Sequence, residues 1–361
     1  MTVFFLNVFI LLLFGFVMIA PRYRRLGAIL LMGYFAFLTM FRGHSVGTDT
    51  PTYCLIFKQI AESSHINFLS YIKLTGTEPG FVLLCRLLSY ISNDPQILLI
   101  ACGLFCYISL TIIFLRYSNN IWMTIYMFFM LGGFDFFASG LRQSVSIAFI
   151  LIAFQLLENN KKIIALIIVI VSCFFHYSAV IVFPLYLLLR IKEDEKFVRV
   201  STIATIIVFV FFNPFLSMAL RFFPKYNYYY QGQMFNSEPN LAVFLKLIVF
   251  LLIYLVGKYI VKDSPESRQE MKKNQPFDRL ALMQPLVYVI SFNARALARF
   301  AVYLSLFSYI YFPNKIAEME RKNKLIVIVL SLLLFFLYAF IIQYFKTPEW
   351  QRTYPYVFCW E

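Results

Sequence analysis

Four short stretches hold most of the residues whose types and spacing could do chemistry. The first, Arg42-Gly43-His44-Ser45-Val46-Gly47-Thr48-Asp49-Thr50-Pro51-Thr52-Tyr53, joins a cation, a carboxylate and a tyrosine to turn-forming residues. Asp49 has two readings that can hold together: the N-cap of a helix starting near Pro51, or a group that meets substrate. The second stretch, Ser139-Gly140-Leu141-Arg142-Gln143, sets Arg142 at the opening of an apolar run. A cation there faces the positive end of a helix, which is unfavourable until an anion binds beside it. Arg142 is therefore read as an anion ligand ahead of a side chain snorkelling to headgroups. The third is His176, followed by Tyr177 and Ser178. It is either a hydrogen-bonded core group or a base able to take a proton from a hydroxyl. The fourth, Asn293-Ala294-Arg295-Ala296-Leu297-Ala298-Arg299-Phe300, spaces two arginines four apart, on one helix face. Two guanidiniums so placed repel unless an anion joins them, and a diphosphate matches their forked donors, with snorkelling as the alternative. Glu78 is a further carboxylate of this polar set.

The elements that must position these residues are hydrophobic helices. Hydrophobic residues make up 61% of the 361 and charged residues 14%, with a mean hydropathy of +0.75. A soluble chain of this length cannot hide that much apolar surface, whereas a bilayer solvates it. Continuous runs such as Leu325–Phe340 indicate helices, since barrel strands would alternate apolar and polar residues. The fold expected is all-α and polytopic, with about twelve spans near 3–20, 26–41, 97–115, 121–137, 142–157, 163–176, 178–189, 200–218, 241–257, 280–293, 297–312 and 325–345. One membrane domain covers 1–361, with outer loops at 42–96 and 219–240 and an inner linker at 258–279. Gly80–Ile91 is apolar but interrupted by Arg86 and too short to cross, so it reads as a re-entrant or interfacial helix in the first outer loop.

Charge sets the orientation. With both termini on the outer (periplasmic) side, the inner links carry twenty of the 32 Lys and Arg, as the positive-inside rule requires. That bias survives only if Ile163–Leu189 is split into two legs with His176 at or below the outer tip. The net charge of +14 lies mostly in these links, which excludes a nucleic-acid partner. The six cysteines show no CxxC or zinc spacing. Cys102 and Cys106 read as packing residues, while Cys54 and Cys85 fall outside, where a disulfide between them is one reading. The first apolar run lacks a basic leader and precedes Arg22, Arg24 and Arg25, the reverse of a cleavable signal. The outer tyrosines Tyr226, Tyr228, Tyr229 and Tyr230, and the tail residues Trp350, Tyr354, Tyr356 and Trp360, read chiefly as an interfacial belt.

Taken in order, Arg42 with Val46-Gly47-Thr48-Asp49-Thr50 and Tyr53, Glu78-Pro79-Gly80-Phe81, Arg142-Gln143, His176-Tyr177-Ser178-Ala179 with Pro184, and Arg299-Phe300 with Tyr303 and Pro313 resemble the EpsG family of exopolysaccharide proteins and the related Wzy-type O-antigen polymerases. The resemblance spans about residues 40–315; Arg295 and the aromatic loop at 221–235 do not map onto it. It implies a multi-pass enzyme of the bacterial inner membrane, a glycosyltransferase that moves a growing glycan from undecaprenyl diphosphate to the non-reducing end of a lipid-linked repeat unit. The partners expected are that lipid-linked oligosaccharide, membrane lipid, a flippase and a chain-length regulator. Under that reading Arg142, Arg295 and Arg299 bind the diphosphate, and His176 is the first choice of base and Asp49 the second. Arg42, Glu78, Tyr53 and Tyr303 hold substrate or order the outer loop. Neither metal nor cofactor is required, because arginines can neutralise the leaving group. A lipid-linked oligosaccharide flippase and a membrane acyltransferase acting on sugars are the competing classes. The first should show repeated halves, which are not visible, and the second an inward or transmembrane route for its acyl donor.

Overall fold

The computed structural model describes residues 1–63, 71–72, 75–183, 195–222, 241–260, 268–294, 297–319, 321–347 and 351–361. Everything regular among them is helical; the only strand-like feature there is an isolated antiparallel bridge between Arg42 and Phe358. The chain divides into two units, Met1–Val180 with Ile326–Glu361, and Ile181–Leu325.

The first unit contains α1 (Thr2–Val17), α2 (Pro21–Met40), α3 (Thr50–Glu62), α4 (Pro79–Ser89), α5 (Gln96–Tyr117), α6 (Ile121–Met130), α7 (Gly133–Ser139), α8 (Leu141–Glu158) and α9 (Lys162–Phe175). Proline opens α2, α3 and α4 in the first turn, where its missing N–H costs no helical bond. Asn120 caps α6, its side chain accepting from the Met123 N–H at 3.2 Å. The core is built from phenylalanines. Phe129 stacks on Phe4 at 5.9 Å and on Phe35 at 5.3 Å, and Phe134 closes the cluster at 5.6 Å from Phe129. Such pairs add about 0.5–1.5 kcal/mol each beyond their buried area.

The second unit contains α10 (Glu195–Val210), α11 (Phe212–Phe222), α12 (Leu241–Leu255), α13 (Arg268–Ser291) and α14 (Ala298–Glu318). Its polar clasp is Gln284 of α13, which donates to Ser305 at 2.7 Å and accepts from Ser308, both on α14. Lys315 reaches Asp278 at 3.3 Å between the same helices. The last helix, α15 (Arg321–Lys346), exposes Leu330, Leu333, Leu337, Ile341 and Phe345. An uninterrupted apolar face of that kind is stable against lipid and not against water.

Among the described residues, four helices are long and apolar enough to cross a membrane: α5, α8, Leu241–Tyr259 and Asn323–Lys346. The total becomes six if α6 with α7, bent by 59°, and α10 with the start of α11, bent by 76°, each form one broken span. This is fewer than the twelve or so expected, for two physical reasons. Helices α1 and α9 are apolar but only 16 and 14 residues long, short of the roughly 20 that a span needs. Helices α2, α13 and α14 have the length but carry charged or amide residues, such as Arg24, Gln284 and Lys315. Of the second leg of the hairpin expected after His176, at 178–189, residues 184–189 lie outside the described residues, as does most of the loop at 219–240. Helix α4 is the helix expected at Gly80–Ile91; its 11 residues extend about 16 Å, too little to cross. Cys54 and Cys85 are both buried free thiols, so no disulfide joins them. Tyr354 is buried in the core instead of lying in a belt, while Trp360 stays exposed and stacks on Phe358 at 4.6 Å.

Candidate functional site

Two of the sequence stretches meet in the first unit at the carboxylate of Glu78, and a third joins them through Arg142. Glu78 is the N-cap of α4, in extended conformation, and its side chain is 6% exposed. One carboxylate oxygen, Oε2, accepts from Nη1 of Arg142, the second residue of α8. The other, Oε1, lies 2.9 Å from Nδ1 of His176, the residue that ends α9. Arg142 and His176 remain partly open, at 26% and 17% of their side-chain surface.

The two partners of Glu78 sit at opposite ends of their helices. Arg142 lies at the positive end of α8, and the anion needed there is the Glu78 carboxylate. His176 lies at the negative end of α9, beside the Glu78 carboxylate. Burial alone would raise the Glu78 pKa. The hydrogen bond to His176 and the Arg142 charge outweigh it and hold the carboxyl below its usual range.

The close approach depends on a glycine. A Cβ on Gly80 would lie 2.9 Å from the Phe174 carbonyl oxygen and 3.1 Å from the Phe174 Cβ. Only a residue without a side chain lets the first turn of α4 abut the last turn of α9 and bring Glu78 to His176. Arg142 also lies beside two adjacent rings, with its guanidinium carbon 5.3 Å from the Tyr53 centroid and 6.0 Å from that of Phe81. Its Nε is buried without a hydrogen-bond partner. The Tyr53 hydroxyl donates to Asp49 Oδ2 at 3.4 Å, which links the first stretch to the same group.

Asp49 occupies the N-cap position of α3, yet its side chain makes no capping bond and turns to Tyr53. The segment it belongs to is docked on the break between α7 and α8. Thr48 N–H donates to Ser139 Oγ at 3.0 Å, and Thr50 Oγ1 to the Ala138 carbonyl at 3.4 Å. Gly47, at φ +96°, would place a Cβ 2.5 Å from that carbonyl, so no other residue fits the turn.

Arg42 is not presented to a ligand. It is fully buried, and Nη1 donates to the Thr39 carbonyl while Nε and Nη2 find no partner. Burial draws its pKa down. In the second unit, Arg299 lies exposed in the first turn of α14, and Tyr303 is 1% exposed within the helix packing. Arg295 lies outside the described residues, and with it the shared face expected for the two arginines. Among the described residues no three His, Cys, Asp or Glu side chains are grouped as metal ligands would be.

Two features escaped the sequence. From the sequence Glu78 is expected to hold substrate or order the outer loop, and nothing in its local spacing says that it bridges residues 64 and 98 positions away. The signal available was chemical: an arginine at a helix N-terminus demands an anion, and Glu78 is a carboxylate of the same polar set. The packing of the C-terminal segment on residues 41–48 carries no sequence signal at all, because that segment has no periodicity. The sequence matches the EpsG family over residues 25–358. No curated protein and no solved structure matches the chain.

Proposed function

Because the chain belongs to the EpsG family, whose members are Wzy-type polymerases, we propose that it transfers a growing glycan from undecaprenyl diphosphate to the non-reducing end of a lipid-linked repeat unit. The observation that carries this reading is the Glu78 carboxylate held between Arg142 and His176. In the proposed reaction Nδ1–H of His176 donates to Glu78, which leaves Nε2 free to accept a proton. Nε2 takes that proton from the acceptor sugar hydroxyl, whose oxygen attacks the anomeric carbon of the donor glycan. The bond from that carbon to the diphosphate oxygen breaks, and the diphosphate leaves with the electron pair. Glu78 and the end of α9 stabilise the imidazolium so formed, much as a buried carboxylate supports histidine in hydrolytic triads.

Arg142, part-neutralised by Glu78, holds the base in place and offers its remaining charge to the diphosphate. Arg295 and Arg299, in the second unit, keep the anion-binding role expected of them from the sequence. Asp49 is the second choice of base, with Tyr53 supporting substrate and the buried Arg42 ordering the loop. The chemistry is assigned to the periplasmic face of the inner membrane, with both termini on that side and about twelve membrane legs, some short or broken. No metal is given a role.

The test is a deletion of the gene together with Arg142→Ala and Arg299→Ala variants, each scored on a polysaccharide gel. The proposal expects long chains to vanish while the single repeat unit persists on its acceptor. Loss of every surface unit, including the single one, would select a flippase. Normal ladders in both variants would remove the arginines from the mechanism.

A further inference from the structure

Residues 351–361 lie along the segment that carries Asp49. Gly43 N–H donates to the Val357 carbonyl at 2.8 Å, and Cys359 N–H to the Phe41 carbonyl at 2.9 Å. Farther along, Gly47 N–H donates to the Arg352 carbonyl and Thr48 N–H to that of Gln351, both at 2.9 Å. The Tyr356 hydroxyl bonds the Leu38 carbonyl at the end of α2. Tyr354 is buried, and its hydroxyl accepts from Asn7 of α1 at 3.3 Å. Asn7 in turn accepts from Tyr34 of α2 at 2.6 Å. The tail is thus anchored to α1 and α2 and grips both ends of 41–48.

The gripped segment is itself the platform of the candidate site. Thr48 and Thr50 dock on Ser139 and Ala138, three to four residues ahead of Arg142. Asp49, between them, holds Tyr53, and Tyr53 lies against the Arg142 guanidinium. A loop of turn residues has little stiffness of its own, and its backbone N–H groups would otherwise exchange partners with water. Four backbone bonds from a segment 300 residues away in sequence remove that freedom.

We propose that residues 351–361 form a strap that positions the Gly47–Thr50 turn, and through it Tyr53 and Arg142, for the reaction proposed above. The strap does not touch substrate; its contribution is the placement of groups that do. It rests on the polymerase reading for its consequence and on the hydrogen bonds above for its existence.

The experiment uses the full chain with a protease recognition sequence inserted directly after Thr347, so that the protein folds before the strap is severed. Cleaved and uncut protein in lipid vesicles are compared for polymerisation of lipid-linked repeat units and for backbone hydrogen exchange over residues 43–48. Severing should speed exchange there and lower kcat on the order of tenfold or more, since small misplacements of reacting groups have large effects. The KM for the acceptor should change less than kcat. A peptide of the sequence 351–361 added back should restore both readouts, which a general loss of folding would not allow. Faster exchange with polymerisation within about twofold of the uncut protein overturns the positioning role. Unchanged exchange overturns the strap itself, whatever happens to the rate. Glu78→Gln in the uncut protein is run alongside: full polymerisation there refutes the assigned site without bearing on the strap. If the uncut protein makes no polymer, the polymerase reading fails and the exchange result alone decides the strap.

Discussion

Replacing Glu78 with glutamine changes one oxygen to an NH2 group and removes one charge while leaving the shape of the side chain intact. The carboxylate serves two partners at once, Arg142 through Oε2 and His176 through Oε1. Arginine is always a donor, and Nδ1 of His176 must donate if Nε2 is to act as base. Glutamine has one acceptor and one donor group, so it cannot accept from Arg142 and from Nδ1–H of His176 at once. If its oxygen faces Arg142, its NH2 group turns to His176 and selects the tautomer whose Nε2 already carries a proton. If its oxygen faces His176, two donors meet at Arg142. The first arrangement keeps both hydrogen bonds but gives up the ion pair with Arg142 and the base, whereas the second leaves a buried donor without a partner, for a stability loss of about 1–3 kcal/mol. The activity loss should be larger, about 10²–10⁴-fold, the range of a lost general base. The two are separated by normalising polymerisation in membrane vesicles to the amount of folded protein, measured by thermal denaturation in detergent. Glu78→Asp, one methylene shorter, should keep one partner and show an intermediate loss. A Glu78→Gln protein that is less stable but fully active per folded molecule would reduce Glu78 to a structural clasp and refute the mechanism. One that matches the parent in both would refute the geometry.

Gly80→Ala should cost about 1–3 kcal/mol in thermal stability, because its Cβ would press on the Phe174 backbone; polymerisation should fall with it as Glu78 is pushed off His176, and unchanged stability would contradict the tight approach. Acid should also discriminate. A carboxyl whose folded pKa is depressed stabilises fully above its unfolded value, about 4.3, and that stability is lost as pH falls through the lower folded value. The difference in melting temperature between the parent and Glu78→Gln should therefore be constant above about pH 5 and shrink below about 4.3; a constant difference down to pH 2 would deny the shift. Gly47→Ala should destabilise by about 1–2 kcal/mol from its left-handed backbone alone, and more from the Ala138 contact, read as a lower melting temperature with faster hydrogen exchange over 43–48.

The amino-acid sequence by itself determined the solvent and the secondary structure. Runs such as 97–115 and 325–345 are too apolar and too continuous for anything but helices in lipid, and α5 and α15 occupy them. It also determined which residues were worth watching, since an arginine in the first turn of a helix and a histidine between apolar runs are costly unless partnered. The number of spans was less legible, because short apolar helices such as α1 and α9 satisfy periodicity without satisfying length. What only the tertiary structure decided is pairing. Arg142 announces a need for an anion but not which one, and the answer, Glu78, arrives from 64 positions away because Gly80 lets α4 meet the end of α9. Local propensity and hydropathy act over one or two helical turns. The charge pairing at Glu78 and the strap over residues 41–48 are set by which backbones can approach closely, a property of the packed chain that no single stretch contains.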